Sequence, residues 1–308
     1  MNLVEKISGQ KKRPPALVSG DLIGIAAPAS TFNRVNFEKG LSVIRQLGFN
    51  VLVAEDVFQQ KGYLAGGDKQ RASALTRLFT DTKVKGIICA RGGYGTMRLL
   101  PYLDFDSIAS TPKVFIGFSD VTALLVNLVE RCNWVAFHGP TVNTLADTES
   151  DSCLSLMQAI SLRNPIILFA SHGNVVVPGV AVGPLLVGNL TTLCHLVGTP
   201  FMPNLCGHIL LIEDRGEALY RIDRMLNHMK MAGCFEQLKG LALGHFTECG
   251  DVVDIEALAA ELFQDYRIPI LSGFDVGHHR RNFTLPLGLT VKLDTWNQTL
   301  SLQSAATC

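Results

Sequence analysis

A serine that attacks a carbonyl needs a base to take its proton, and the base needs an acid to orient it. Ser119 is the candidate nucleophile. It stands in Ile116-Gly117-Phe118-Ser119-Asp120, between a short apolar run and a second apolar run with helical spacing. A serine between a strand and a helix of a parallel α/β sheet lies at the carboxyl edge of the strands, where ligands bind. Its hydroxyl is lifted out of the sheet, and the N–H groups that follow can hold an oxyanion. The familiar elbow is G-x-S-x-G. Gly117 supplies the first glycine, but Val121 stands in place of the second. On this pattern alone, Ser119 or Asp120 reads as the cap of a helix over 121–132.

Eight histidines could supply the base. His138 follows a strand of the first half. His195 sits in an apolar helical run and reads as a packed core or interface residue. His172 and His228 have polar surroundings and read as surface residues. His208 and His245 lie within or beside apolar strands, and His278 and His279 follow the strand-turn 273–277. The paired histidines could ligate a metal, but no third ligand is near them in sequence. For the acid, Glu213 and Asp214 directly follow the apolar run Leu210-Leu211-Ile212. Charge there is costly unless it is used or paired. The two alternate sides of a strand, so only one would face a given site. Asp214 could instead cap the next helix or pair with Arg215 or Arg224. The turn Arg91-Gly92-Gly93-Tyr94-Gly95 follows another apolar run and can present N–H groups to an anion. It lacks the lysine of a P-loop and the spacing of a dinucleotide fingerprint, so an oxyanion or a substrate carboxylate fits better than a nucleotide.

The elements that must position these residues alternate from Asp21 onward. Strands are expected at 22–27, 51–54, 84–90, 114–117 and 134–137, with helices between them. That grammar implies a parallel sheet covered on both faces. It stops near Ala146. A second α/β region follows, with strands at 207–212, 240–246 and 268–271, helices at 218–231 and 255–266, and a closing hairpin from 289–293 and 299–302. The fold class is therefore α/β with two α/β domains. The first is a flavodoxin- or Rossmann-like parallel sheet over 16–148. A crossover spans 149–182, and a mixed α/β domain spans 183–308.

The chain has 308 residues, and its 27 Lys+Arg balance its 27 Asp+Glu. With no basic run, nucleic acid and anionic membranes are poor partners. No apolar window reaches the length of a membrane span, and the N-terminus does not read as a secretory signal, so a cytoplasmic location is expected. Lys11-Lys12-Arg13 reads as a solvated tail. The eight cysteines form no C-x-x-C pair and several lie in apolar runs, which suits buried free thiols.

Taken together, Gly24–Ser30 (GIAAPAS), 91–95 (RGGYG), 116–120 (IGFSD), 138–140 (HGP), 187–193 (VGNLTTL), Leu210–Asp214 (LLIED), 243–249 (LGHFTEC) and 277–288 (GHHRRNFTLPLG) occur in the order found in the LD-carboxypeptidases, the murein tetrapeptide carboxypeptidases. The sequence resembles that serine peptidase family over roughly 21–288. The resemblance implies a catalytic Ser119, Glu213 and His278. Glu213 lies 94 residues beyond Ser119 (213 − 119), and His278 follows Gly277 as in the family pattern. It further implies an oxyanion hole from the backbone N–H groups of Gly93 and Asp120, and no cofactor or metal. Arg91 and Tyr94 become candidate contacts for substrate, with Arg91 at its terminal carboxylate. The expected substrate is a murein tetrapeptide losing terminal D-alanine during peptidoglycan recycling. A homodimer is expected by likeness. The family also includes immunity peptidases that cleave a peptide–nucleotide antibiotic of the microcin C type. Those carry a longer insertion between serine and glutamate, which favours the murein reading. A non-enzymatic small-molecule binder, with Ser119 only a cap, is the competing class.

Overall fold

The computed structural model describes residues 11–308. Two sheets carry the chain. The first is built from β1 (Leu22–Ala26), β2 (Asn50–Leu52), β3 (Val84–Cys89), β4 (Val114–Gly117) and β5 (Ala136–His138), all parallel. The helices between them are α1 (Arg34–Gln46), α2 (Asp68–Thr80), the short α3 (Phe105–Ile108) and α4 (Thr122–Arg131). Ile87, Ile88, Val114, Phe115 and Ile116 are sealed from solvent, as expected of strands covered on both faces.

After α5 (Val142–Leu145) and α6 (Ser150–Ser161) the chain enters the second sheet. Its strands are β6 (Ile167–Phe169), β7 (Val175–Val177), β8 (Val180–Asn189), β9 (Ile209–Arg215), β10 (Gly240–Thr247) and β11 (Ile270–Leu271). With them come α7 (Leu190–Leu196), α8 (Leu219–Met231) and α9 (Val252–Phe263). Then β12 (Leu285–Leu287) leaves this region and pairs antiparallel with β5, Leu285 opposite His138. The chain ends with the hairpin β13 (Thr290–Asp294) and β14 (Thr299–Leu302). The orders are β12-β5-β4-β3-β1-β2 and β6-β14-β13-β8-β9-β10-β11-β7. The stretch 149–182, read as a crossover, thus holds α6 and supplies both edge strands of the second sheet.

The sheets meet through α4. Residues 122–129 of this helix are all buried, so its first two turns have no solvent face, and only Glu130 and Arg131 at its end are exposed. Gly188 on β8 lies so close that a Cβ there would stand 2.5 Å from Thr122 Cγ2. Next to it, the Asn189 N–H donates to Thr122 Oγ1 at 3.1 Å. The segment 187–193 therefore serves docking.

Two expectations change. Lys11-Lys12-Arg13 is no free tail: Lys11 Nζ donates to the Val129 carbonyl at 2.9 Å, Lys12 Nζ to Ala109 at 2.9 Å and Arg13 to Ser304 Oγ at 3.0 Å. The two lysine heads satisfy carbonyls at the end of α4 and just after α3, including orphans of a helix C-terminus. His195 is exposed on α7, whose apolar residues on either side are buried, so it is no packed core residue. The reading of the N-terminus as lacking a secretory signal rests on residues 1–10, outside the described residues. Among the described residues no helix is long and apolar enough to cross a membrane.

Candidate active site

Strand β4 ends at Gly117, where a Cβ would come within 2.6 Å of Val121 Cγ1. Only glycine lets the chain fold back so tightly. Phe118 is extended, and Ser119 then takes φ +63°, the left-handed region that L-residues avoid. This turn aims the hydroxyl away from the sheet and starts the short helical turn leading into α4. The second glycine of the elbow is unnecessary because Val121 already lies inside that turn. The close approach is made instead by Gly92, whose Cβ would stand 2.8 Å from Ser119 Cβ.

The imidazole that meets this hydroxyl comes from the other half of the chain. His278 Nε2 lies 3.0 Å from Ser119 Oγ, and its Nδ1 lies 2.6 Å from Glu213 Oε2. The His278 backbone N–H donates to the same Glu213 oxygen at 3.2 Å, and Thr247 Oγ1 donates to the His278 carbonyl at 2.6 Å. Gly277 has φ +116°, and a Cβ there would meet the Glu213 carboxylate at 2.6 Å. Glu213 is wholly buried at the end of β9. Burial disfavours the imidazolium, but the Glu213 charge and hydrogen bond outweigh it, so the His278 pKa is raised above its ordinary value.

Asp214 points the other way, as alternation requires. It accepts from Asn189 Nδ2 at 3.0 Å, from the Thr191 N–H at 2.8 Å and from Thr191 Oγ1 at 2.7 Å, and so orders the start of α7. His279 lies against His245 with ring centroids 4.6 Å apart and the rings tilted by 36°, and His245 Nε2 is 3.4 Å from Asp275 Oδ1. His138 is fully buried with its ring 5.8 Å from that of Phe118. Burial, then the His278 charge, lowers its pKa to about 3, so it stays neutral. Among the described residues no group of three or more His, Cys, Asp or Glu could hold a metal ion, and all eight cysteines are free.

The glycine turn faces Ser119. Gly93 has φ +104°, and Ser30 Oγ would lie 2.6 Å from a Cβ there. Three groups fix the turn. Ser30 Oγ accepts from the Tyr94 N–H at 3.0 Å, buried Arg71 donates to the Gly95 carbonyl at 3.1 Å, and Asp120 Oδ2 accepts from the Thr96 N–H at 2.8 Å. Asp120 thus ties the Ser119 turn to the glycine turn. The same Arg71 guanidinium also holds Gly66 and Pro28 carbonyls. Arg91 donates to the Thr31 carbonyl at 2.7 Å and lines a cleft of ≈ 430 Å³ with Ser119, Gly93, His278 and Arg215. Tyr94 stands outside that lining, half-exposed, with its ring 5.7 Å from Tyr63.

Residue-by-residue reading missed Arg71, Arg215, Asn282 and Ser152. Asn282 Oδ1 accepts from the Gly277 N–H at 2.9 Å, while Ser152 Oγ accepts from the Asn282 N–H at 2.9 Å. For Arg215 a signal was present, because residues two apart on a strand share a face and Glu213 is two before it. For the others the partners are far apart in sequence and no local pattern marks them.

Two α/β halves, each with a parallel centre and at least one antiparallel edge, meet over the Ser119–His278–Glu213 series. Residues 23–139 match the LD-carboxypeptidase N-terminal domain, and residues 182–293 match the LD-carboxypeptidase C-terminal domain. The chain belongs to the LD-carboxypeptidase family, and that membership supports a peptidase. It is 35% identical over 303 residues to a probable murein peptide carboxypeptidase of Bacillus subtilis, covering 95% of this chain and 94% of that protein. It is 28% identical to the microcin C7 self-immunity protein MccF of Escherichia coli, covering 93% and 94%. Among solved structures, the muramoyltetrapeptide carboxypeptidase from Oxalobacter formigenes superposes with a TM-score of 0.81 at 29% identity, covering 92% of this chain and 98% of that one.

Proposed function

We propose that this chain is a serine peptidase that cleaves the L,D-peptide bond releasing terminal D-alanine from murein tetrapeptides, in cytoplasmic peptidoglycan recycling. The observation that carries this reading is the unbroken series from Glu213 through His278 to Ser119 Oγ. Ser119 Oγ attacks the scissile carbonyl carbon while His278 Nε2 takes its proton. Glu213 holds the ring and stabilises its positive form. The N–H groups of Gly93 and Asp120 receive the oxyanion, commonly the largest electrostatic contribution to such a step. The C–N bond then breaks, and the departing nitrogen takes the proton from His278. Water, deprotonated by His278, hydrolyses the Ser119 ester and restores the hydroxyl. Arg91 and Tyr94 contact the peptide, no cofactor takes part, and the protein works as a homodimer.

A second reading is a microcin-type immunity peptidase, supported by the likeness to MccF. The decisive assay follows conversion of L,D-tetrapeptide to tripeptide, beside hydrolysis of an aminoacyl-nucleotide conjugate. Wild type is expected to release D-alanine, and Ser119→Ala, Glu213→Ala and His278→Ala are expected to lose at least ~10³-fold in rate. Full turnover by Ser119→Ala would end the nucleophile assignment. Preference for the conjugate would favour the second reading.

A further inference from the structure

Glu213 and Arg215 lie two residues apart on β9, so their side chains leave the same face of the strand. Glu213 uses that face to hold His278. Arg215 therefore projects beside the imidazole, and its charge is among those that act on His278. The cleft has two lobes. The lobe of ≈ 430 Å³ contains Ser119 and the glycine turn. The other, of ≈ 450 Å³, extends past His278 toward Arg280 and Asp147. Arg215, His278 and Phe118 line both, whereas Arg91, Gly92 and Gly93 line only the first.

The direction of bond cleavage then matters. The departing nitrogen takes its proton from His278 Nε2, so the released residue lies on the His278 side of Ser119 Oγ. The oxyanion donors lie on the other side. The carboxylate of a single released residue sits about 3.6 Å of chain beyond the scissile carbon. Arg91 is on the wrong side for it and is already bonded to Thr31. Arg280 lines only the far lobe, where its Nε donates to the Asp147 carbonyl at 3.3 Å. Arg215 has a competitor of its own, Glu248, at 2.9 Å from Nη2. Both partners of that pair are more than half exposed, so exchanging Glu248 for a substrate carboxylate costs little.

Resting on the peptidase reading above, we propose that Arg215 is the receptor for the free C-terminal carboxylate of the released residue, and so the group that restricts the site to exopeptidase cleavage. Its planar fork can hold a carboxylate through two parallel bonds, which a lysine cannot. Arg91 is left to the acyl portion of the peptide.

The test uses the full-length protein and two substrates, an L,D-tetrapeptide with a free C-terminus and the same peptide as its C-terminal amide. Wild type should prefer the acid by about 10- to 100-fold in kcat/KM, the range for a hydrogen bond to a charged group. Arg215→Gln should lose that preference, mainly through a higher KM for the acid, with a much smaller change on the amide, limited to what the lost charge does to His278. Arg215→Lys should recover part of it, and Arg91→Gln should affect acid and amide alike. Fluorophosphonate labelling of Ser119 in Arg215→Gln should match wild type, which separates recognition from fold damage. An acid preference that survives in Arg215→Gln, or an equal loss on both substrates, overturns this assignment alone. Wild type that cleaves neither peptide overturns the functional reading and this assignment with it.

Discussion

The Ser119 turn and the His278 loop bring their side chains within 3.0 Å of each other, yet they are held in opposite ways. The serine is fixed locally. Gly117 permits the fold-back, the strain lies in the dihedral of Ser119 itself, and α4 begins three residues later between two sheets. The histidine is fixed from a distance. Its carbonyl is held by Thr247, its amide and ring by Glu213, and the Gly277 amide by Asn282. Beyond it, Ser152 and Ser155 of α6 accept from the N–H groups of Asn282 and Thr284. Strand β12 then anchors the segment on β5, in the sheet that carries the serine. The placement of Ser119 is thus a property of a short stretch, and that of His278 is a property of the assembled halves.

That contrast predicts how each side fails. The largest effect should come from Ser119→Gly. It removes the hydroxyl and with it at least ~10³-fold of hydrolysis. Glycine accepts positive φ freely, which relieves strain of order 1 kcal/mol while adding unfolded-state entropy of similar size. Thermal unfolding should therefore stay near the wild-type midpoint. A large fall in midpoint would mean the serine side chain also holds the turn.

Glu213→Gln should come next, with kcat reduced about 10³- to 10⁴-fold, because the amide can hold the ring in the wrong tautomer and cannot stabilise its cation. The sign with pH is definite. Glu213 raises the His278 pKa above 6.5. Wild-type kcat/KM should therefore climb as pH rises through that higher value, where the free base appears. The stability from the pair runs the opposite way, complete below 6.5 and lost as pH rises through the folded value. In Glu213→Gln burial remains as the main influence, so the residual activity should have its acid limb below 6.5. An acid limb that did not move would separate His278 from the profile.

How much was legible follows the same line. The alternation of strands and helices, the turn at 116–120 and the strand-end position of Glu213 and Asp214 each lie within a dozen residues, where periodicity and turn chemistry speak clearly. For Asp214 the local sequence allows both capping and pairing with an arginine. Its real partners, Asn189 and Thr191, lie on a strand end and helix beside it in space. The three-residue β12 and the edge strands β6 and β7 had no local signal. Such short pieces are strands only because a neighbouring edge was available to pair with. The choice of His278 over seven other histidines came from resemblance, since no spacing rule connects it to Ser119.

Gly277→Ala tests the distant side where it is tightest. A methyl group would meet the Glu213 carboxylate at 2.6 Å, and a φ of +116° is strained for any L side chain. The histidine loop must then move, and a displacement of about 1 Å costs about 10²-fold in rate. Unlike Ser119→Gly, this variant should also unfold earlier.

The mildest variant discriminates best. Ser152→Ala leaves all three residues of the Ser–His–Glu series untouched and removes one hydroxyl from α6. That hydroxyl accepts from the buried Asn282 N–H at 2.9 Å, and Asn282 in turn holds the Gly277 amide. An unpaired buried N–H costs about 1–3 kcal/mol. The loop reaches His278 through only one further bond, so rate should fall a few-fold, with kcat affected and KM for the peptide little changed. If α6 were merely packed against the loop, the variant would lose stability with kcat intact. A joint loss, from a residue whose hydroxyl is linked to Ser119 through Asn282, Gly277 and His278, would establish that His278 is positioned by the assembled halves and not by its own segment.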